Sequence, residues 1–337
     1  MGYKVAVVGA TGNVGREILN TLAERNFPID EIYAMASNAS IGIEVPYGDN
    51  KDLKVSALEN FDFSKVDFVI SSISSGETKK YAPKATAQGA IIIDNSSAYR
   101  FDSKVPLVVP EVNGDEISNY RNKNIIASPN CVATPLCMVL RPLSNISPIK
   151  RVVVSTYQST SGAGRKAMDE LFAQTKQILM NQAVVKEEFP KQIAFNVIPQ
   201  IGNFEGDGYT GEESKIINEV EKIMGDKIAV TATSVRVPSF VGHAISANIE
   251  FTSQIDEDQA REALREFDGI AIIDNRAEET YITPTECVGE DSVFVSRIRN
   301  DPSVQFGLNL WIVSDNLRKG AALNTVQIAE RLVAEYF

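Results

Sequence analysis

Histidine is almost missing from this chain: among 337 residues there is one, His243. Cysteine is scarce as well, with Cys131, Cys137 and Cys287 the only three and no Cys-x-x-Cys pair among them. So few soft ligands cannot build a zinc site of the usual kind, and no metal is expected. Nor can they frame a disulfide scaffold, so a reducing compartment is expected. No apolar run approaches the roughly 18 residues that a membrane span requires. Positive charge is in the minority, with 33 Lys and Arg against 44 Asp and Glu and a formal net charge of -11. That balance argues against a nucleic-acid partner, which would need basic patches. No basic leader precedes the first strand, so a soluble, cytoplasmic protein is expected.

The remaining composition is that of an ordinary globular chain, 44% hydrophobic and 23% charged, long enough for one large or two medium domains. Tyr3 to Val8 is a β-branched run that runs into Gly9-Ala10-Thr11-Gly12-Asn13-Val14-Gly15. An amphipathic segment with Val14, Ile18, Leu19 and Leu22 on one face follows. Strand, glycine turn and helix form the setting of a dinucleotide fingerprint, in which a pyrophosphate approaches the backbone and meets the helix N-terminus. The second strand, Glu31 to Ala36, ends in Ser37-Asn38-Ala39-Ser40, with no Asp or Glu to hold a ribose hydroxyl. Small hydroxyl side chains leave room for a 2′-phosphate, so NADP is favoured. Further buried strands are expected at Asp67–Ile70 and Ala90–Asp94. The polar loop Asn95 to Arg100 follows, with Arg100 either a solvated loop residue or an anion ligand.

The stretch Ser128-Pro129-Asn130-Cys131-Val132-Ala133-Thr134-Pro135 organises the rest. A buried-strand run precedes it, and a helix with Leu136, Val139, Leu140 and Leu143 follows. Pro135 suits the first turn of that helix. Cys131 therefore sits at or just before a helix N-terminus, whose partial positive charge stabilises a thiolate; the plainer alternative is a small buried hydrophobe. Beyond it the pattern turns to strands at Arg151–Tyr157, Ile228–Val237, Ala244–Thr252, Ser292–Asn300 and Gly307–Val313, with few helices between. This half reads as α+β with a mostly antiparallel sheet. A terminal helix from Ala321 to Tyr336, striped by Val326, Ile328, Ala329, Leu332 and Val333, closes back on the first half. The expected domains are residues 1–130 with 316–337, and residues 131–315.

His243 has the side chain best tuned for proton transfer near neutrality, although a lone histidine also serves structure. Glu212 and Lys215 project from one side of a helix as a surface ion pair or as site residues. A Cys131 thiolate adding to an aldehyde, hydride passing to NADP and a nucleophile resolving the thioester would unite these pieces. Backbone N–H groups after Cys131 would stabilise the oxyanion.

Five segments then resemble aspartate-semialdehyde dehydrogenases in order and spacing: Gly9–Gly15, Ser128–Cys131, Gln158-Ser159-Thr160-Ser161-Gly162-Ala163-Gly164, Glu212–Lys215, and Arg236-Val237-Pro238 through Gly242-His243. The resemblance implies an α/β protein with a Rossmann-type NADP domain and an α+β catalytic and dimerisation domain. It implies Cys131 as acyl-thioester nucleophile, His243 as acid/base and Gln158 as the residue orienting substrate. Arg236 would hold the substrate carboxylate, Glu212 its ammonium, and Arg100, Asn130 and Lys215 phosphate. Thr11, Gly12, Asn13, Val14, Ser37, Ser40, Ser161, Gly162 and Asn324 would line the NADP site. A homodimer or dimer of dimers, interconverting aspartyl phosphate and aspartate semialdehyde for lysine, threonine and methionine synthesis by way of diaminopimelate, would follow. Asn38 stands where many relatives carry arginine.

Overall fold

Residues 2–49 and 51–337 are described by the structure, a computed structural model. The chain divides into two compact units, Met1–Asn130 with Ala321–Phe337, and Cys131–Gly320.

In the first unit, six strands form one sheet: β1 (Tyr3–Val8), β2 (Ile29–Ala36), β3 (Ser56–Ala57), β4 (Phe68–Ser71), β5 (Ile91–Asp94) and β6 (Ile125–Ala127), in the order 3-2-1-4-5-6. Every pairing is parallel. Such strands are buried on both faces, which explains runs such as Ile91-Ile92-Ile93 that do not alternate with polar residues. The strand order reverses at β1, so ligand-holding loops gather at the carboxyl ends of β1 and β4. Helix α1 (Asn13–Glu24) buries Ile18, Leu19 and Leu22 against the sheet. The last helix of the chain, Leu323–Tyr336, places Val326, Ile328, Ala329 and Leu332 in the same core. It starts two residues later than its periodicity suggests, because Arg318–Ala322 forms a π-turn instead. An antiparallel pair, Glu44–Tyr47 with Lys51–Lys54, lies outside the main sheet.

The second unit holds a six-stranded sheet of β7 (Ile149–Gln158), β8 (Ala229–Arg236), β9 (His243–Phe251), β10 (Ile270–Ile272), β11 (Val293–Asn300) and β12 (Gly307–Ser314), in the order 8-7-9-12-11-10. The inner pairings 7–9, 9–12 and 11–12 are antiparallel, as the alternation of these strands suggests. The outermost pairings 7–8 and 10–11 are parallel. Helices return the chain before each of those strands: Gly211–Met224 precedes β8 and Glu257–Glu266 precedes β10. The helix after Cys131, Ala133–Ile146, buries Leu136, Val139, Leu140 and Leu143 completely and packs on both.

Candidate active site

The first unit carries a cavity of about 640 Å³ at the reversal point of its sheet. Gly9, Thr11, Gly12, Ser37, Asn38, Ser72 and Ile73 contribute to its lining. The backbone here has no room for side chains. A Cβ on Gly9, at φ +88°, would lie 2.4 Å from the Ser72 carbonyl oxygen, and one on Gly15 would lie 2.0 Å from that of Gly9. Gly12 caps α1 with extended backbone and no side-chain cap, and it lines the cavity, so the N-terminus of that helix borders the cavity. A glycine cradle at a helix N-terminus beside a cavity of this size fits a dinucleotide. Of the other cofactor candidates, Asn13 begins α1, Val14 packs on the core and Ser40 ends a short 3-10 turn. Asn324 is buried and spends its amide N–H on the Val108 carbonyl and the Ser128 hydroxyl, 3.0 Å each.

Glu59 is a pocket residue that sequence reasoning missed. It lines the same cavity and accepts a 3.0 Å hydrogen bond from the Asn38 side chain. The absent acid at the end of β2 is thus supplied from the turn after β3. Only the parallel β2–β3 pairing brings it there, through Met35↔Ser56 and Ala36↔Ala57.

Also in the first unit, Arg100 is buried. It donates from Nε to the Ser128 carbonyl at 2.9 Å and from Nη2 to that of Asn95 at 2.6 Å, bracing the segment that leads to Asn130.

In the second unit the remaining candidates meet at one end of the mixed sheet. Gln158 and Arg236 are the last residues of parallel neighbours β7 and β8 and pair in register. His243 opens the antiparallel strand β9, opposite Ser314 at the end of β12. All three are buried. Gln158 is held from two sides: its Oε1 accepts from the Thr156 hydroxyl at 3.0 Å, and its Nε2 donates to Glu212 Oε1 at 3.1 Å. Glu212 is also buried, with Lys215 Nζ at 3.5 Å on the more exposed side. Adjacent Glu213 does a different job. Its carboxylate accepts from the Thr210 N–H at 2.6 Å and the Ser234 N–H at 2.8 Å, which caps the helix and ties it to β8.

Arg236 donates from Nη1 to the Ser159 carbonyl at 2.6 Å and lies within the electrostatic reach of Glu212 and Cys131. Burial lowers its pKa, and those two anionic partners oppose the shift. Gly162 lies directly over this pair: a Cβ there would sit 3.3 Å from both Arg236 Nη1 and His243 Nε2. Burial first, and the Arg236 charge second, push the His243 imidazole down to about 3. Cys131 is half-buried and in no disulfide, just ahead of the helix Ala133–Ile146. Its Cβ lies 2.9 Å from where a Cβ on Gly320 would be, so glycine is required at 320 for the sulfur to keep its place. Cys137 and Cys287, by contrast, are buried thiols whose pKa values burial raises. Ser159 and Asn316, which carried no expected role, bond into the same cluster. Ser159 lies in the Gln158–Gly164 segment of the resemblance, whereas the only sequence signal of Asn316 was polarity within a turn.

Two family models match this chain. Residues 4–120 match the family "Semialdehyde dehydrogenase, NAD binding domain", and residues 140–319 match "Semialdehyde dehydrogenase, dimerisation domain". The aspartate-semialdehyde dehydrogenase of Rickettsia bellii is 54% identical over 334 residues, 99% of this chain and 98% of that protein. The crystal structure of aspartate semialdehyde dehydrogenase II from Vibrio cholerae, 43% identical, superposes over 100% of both chains with a TM-score of 0.97. A second crystal structure of that enzyme, complexed with ASA, matches equally well. Family models over both halves, and a relative 54% identical over 99% of this chain, show that the protein belongs to the aspartate-semialdehyde dehydrogenase family.

Proposed function

We propose that this NAD(P)-dependent oxidoreductase interconverts L-aspartate 4-semialdehyde and L-aspartyl 4-phosphate, with NADP as the preferred cofactor, in the biosynthesis of lysine, threonine and methionine. The observation that carries the reading is the buried end of the mixed sheet, where Gln158, Arg236 and Glu212 form a polar cluster beside His243. An amino-acid substrate needs a cation for its carboxylate and an anion for its ammonium. Arg236 and Glu212 supply the two charges. N-acetylglutamate semialdehyde, the nearest alternative substrate, has no free ammonium for Glu212 to pair with.

Cys131 is the nucleophile. Its thiolate, stabilised by the helix start and by Arg236, adds to the aldehyde carbon and leaves an alkoxide on the former carbonyl oxygen. A bound nicotinamide would supply the hydride acceptor that this oxidation needs, and loss of hydride from that carbon would turn the adduct into the Cys131 thioester. A phosphate oxygen then attacks the acyl carbon and expels the Cys131 thiolate. Arg100, Asn130 and Lys215 hold the phosphate, Gln158 orients the substrate, and His243 is the acid/base. Thr11, Gly12, Asn13, Val14, Ser37, Ser40, Ser161, Gly162 and Asn324 serve the cofactor, and the hydroxyls of Ser37 and Ser40 leave space for its 2′-phosphate. Residues 1–130 with the C-terminal helix form the cofactor domain, and the second unit forms the catalytic and dimerisation domain of a cytoplasmic homodimer or pair of dimers. Among the described residues no helix is long and apolar enough to cross a membrane.

The test is NADPH formation with aspartate semialdehyde, compared with N-acetylglutamate semialdehyde, each with and without phosphate. Phosphate-dependent turnover of the first alone is expected. Turnover of the second, or of neither, refutes the assignment.

A further inference from the structure

The hydrogen bond between Gln158 and Glu212 fixes the orientation of the Gln158 amide. A carboxylate accepts and cannot donate, so the amide atom 3.1 Å from Glu212 Oε1 is Nε2. Arg236 and Lys215, both within reach of Glu212, favour that charged form. The amide oxygen therefore faces Thr156, whose hydroxyl lies 3.0 Å away and is the donor. On the other side of that hydroxyl, the Val235 backbone N–H donates to Thr156 Oγ1 at 3.3 Å. A hydroxyl has one hydrogen, and here it goes to Gln158. The order of donation is thus Val235 to Thr156, Thr156 to Gln158, and Gln158 to Glu212. Thr156 is completely buried two residues before Gln158 on β7, so both side chains point to the same face of the strand.

We propose that Thr156 is a positioning residue, acting through Gln158, that holds the Glu212 carboxylate in the orientation that receives the substrate ammonium. This deepens the function proposed above and rests on it for the identity of that cation. The backbone of Glu212 is already fixed, because Glu213 next to it ties the start of the helix Gly211–Met224 to β8 through the Thr210 and Ser234 N–H groups. Its side chain is a separate matter. Lys215 reaches Glu212 Oε2 at 3.5 Å from the more exposed side, too far for a firm grip. A glutamate left to rotate would lose its rotamer freedom each time an ammonium bound, and affinity would fall accordingly. The bond from Gln158 removes that freedom beforehand, and the Thr156 hydroxyl does the same for the amide. Thr156 acts on one substrate group only. Phosphate and cofactor are held by other side chains, and the reaction at Cys131 does not pass through the amide, so the effect of losing the hydroxyl is confined to recognition of the amino acid.

The test is steady-state kinetics of the whole enzyme as wild type, Thr156→Val, Thr156→Ala and Thr156→Ser. Val and Ala both lack the hydroxyl and differ in volume, whereas Ser keeps it. Val and Ala are each expected to raise KM for aspartate semialdehyde about fivefold, the weight of one ordinary hydrogen bond. Their kcat and their KM for phosphate are expected to stay within about twofold of wild type, the pattern of lost ground-state binding. Ser is expected to keep the wild-type KM. An unchanged KM in Val and Ala overturns the role, as does a KM that follows side-chain volume and not the hydroxyl. A loss that moves kcat and both KM values alike overturns it too, and so does failure of both hydroxyl-free variants to fold, which would assign the hydroxyl to strand pairing. A wild-type enzyme that does not turn over aspartate semialdehyde refutes the proposed function itself, and with it the ammonium for which Glu212 is held.

Discussion

Acid should destabilise this protein through His243, and the size of the effect follows from its surroundings. In the unfolded chain the imidazole has its ordinary value near 6.5; in the folded protein burial and Arg236 push it down to about 3. The folded-state value is the lower one. Between the two values the unfolded chain therefore binds one more proton than the folded chain at this residue, and stability falls as pH falls. The slope for one proton is about 1.4 kcal/mol per pH unit. The contribution is intact above about pH 6.5 and is lost steadily towards about pH 3. From about pH 6 to about pH 4 the loss is about 3 kcal/mol, a large share of the 5–15 kcal/mol typical of a folded domain. His243→Gln removes the titration while leaving a polar side chain. Urea unfolding free energies of both proteins, measured at several pH values and one protein concentration, isolate the term from other acid-sensitive groups. The wild-type curve should fall more steeply by about 1.4 kcal/mol per unit. Parallel curves would show that the imidazole is not held neutral, and the electrostatic description of the site would be wrong.

Cys131→Ala should abolish turnover while calorimetric binding of NADP persists, and Cys137→Ala should remain active; inactivation by the second alone would relocate the nucleophile. Glu213→Ala should cost about 1–3 kcal/mol in urea unfolding, because two buried N–H groups lose their acceptor; an unchanged midpoint would contradict its capping role. Glu59→Gln should raise the affinity for NADP relative to NAD, since it removes a carboxylate that lines the cofactor cavity and repels a 2′-phosphate. Calorimetry with both dinucleotides checks this, and an unchanged ratio would place Glu59 away from that phosphate.

Much of the candidate site could be located before any coordinates, because its signals are local. The turn from Gly9 to Gly15 after a β-branched run, and Cys131 ahead of an apolar-striped helix, are patterns set within about ten residues by steric limits and side-chain period. The position of Arg236 beside His243 was legible too, as both flank one short connection. Local sequence could not show that Gln158 meets Glu212, 54 residues on, because strand register and helix placement decide such contacts.

The sequence by itself determined the elements and the chemistry within reach: a parallel-type nucleotide half, a strand-rich half, one reactive cysteine candidate and a single imidazole. Only the tertiary structure decided how that imidazole is held. Ser159 and Asn316 are 157 residues apart in the chain, and the loops at one end of the sheet bring them together. Asn316 Oδ1 also accepts a backbone N–H from Gly242, which carries no side-chain signature. Pairing between distant strands likewise placed Glu59 in the cavity beside the glycine turn and made the outer strands of the second sheet parallel, because register and neighbour choice depend on packing of the whole unit, whereas period and turn chemistry are written locally.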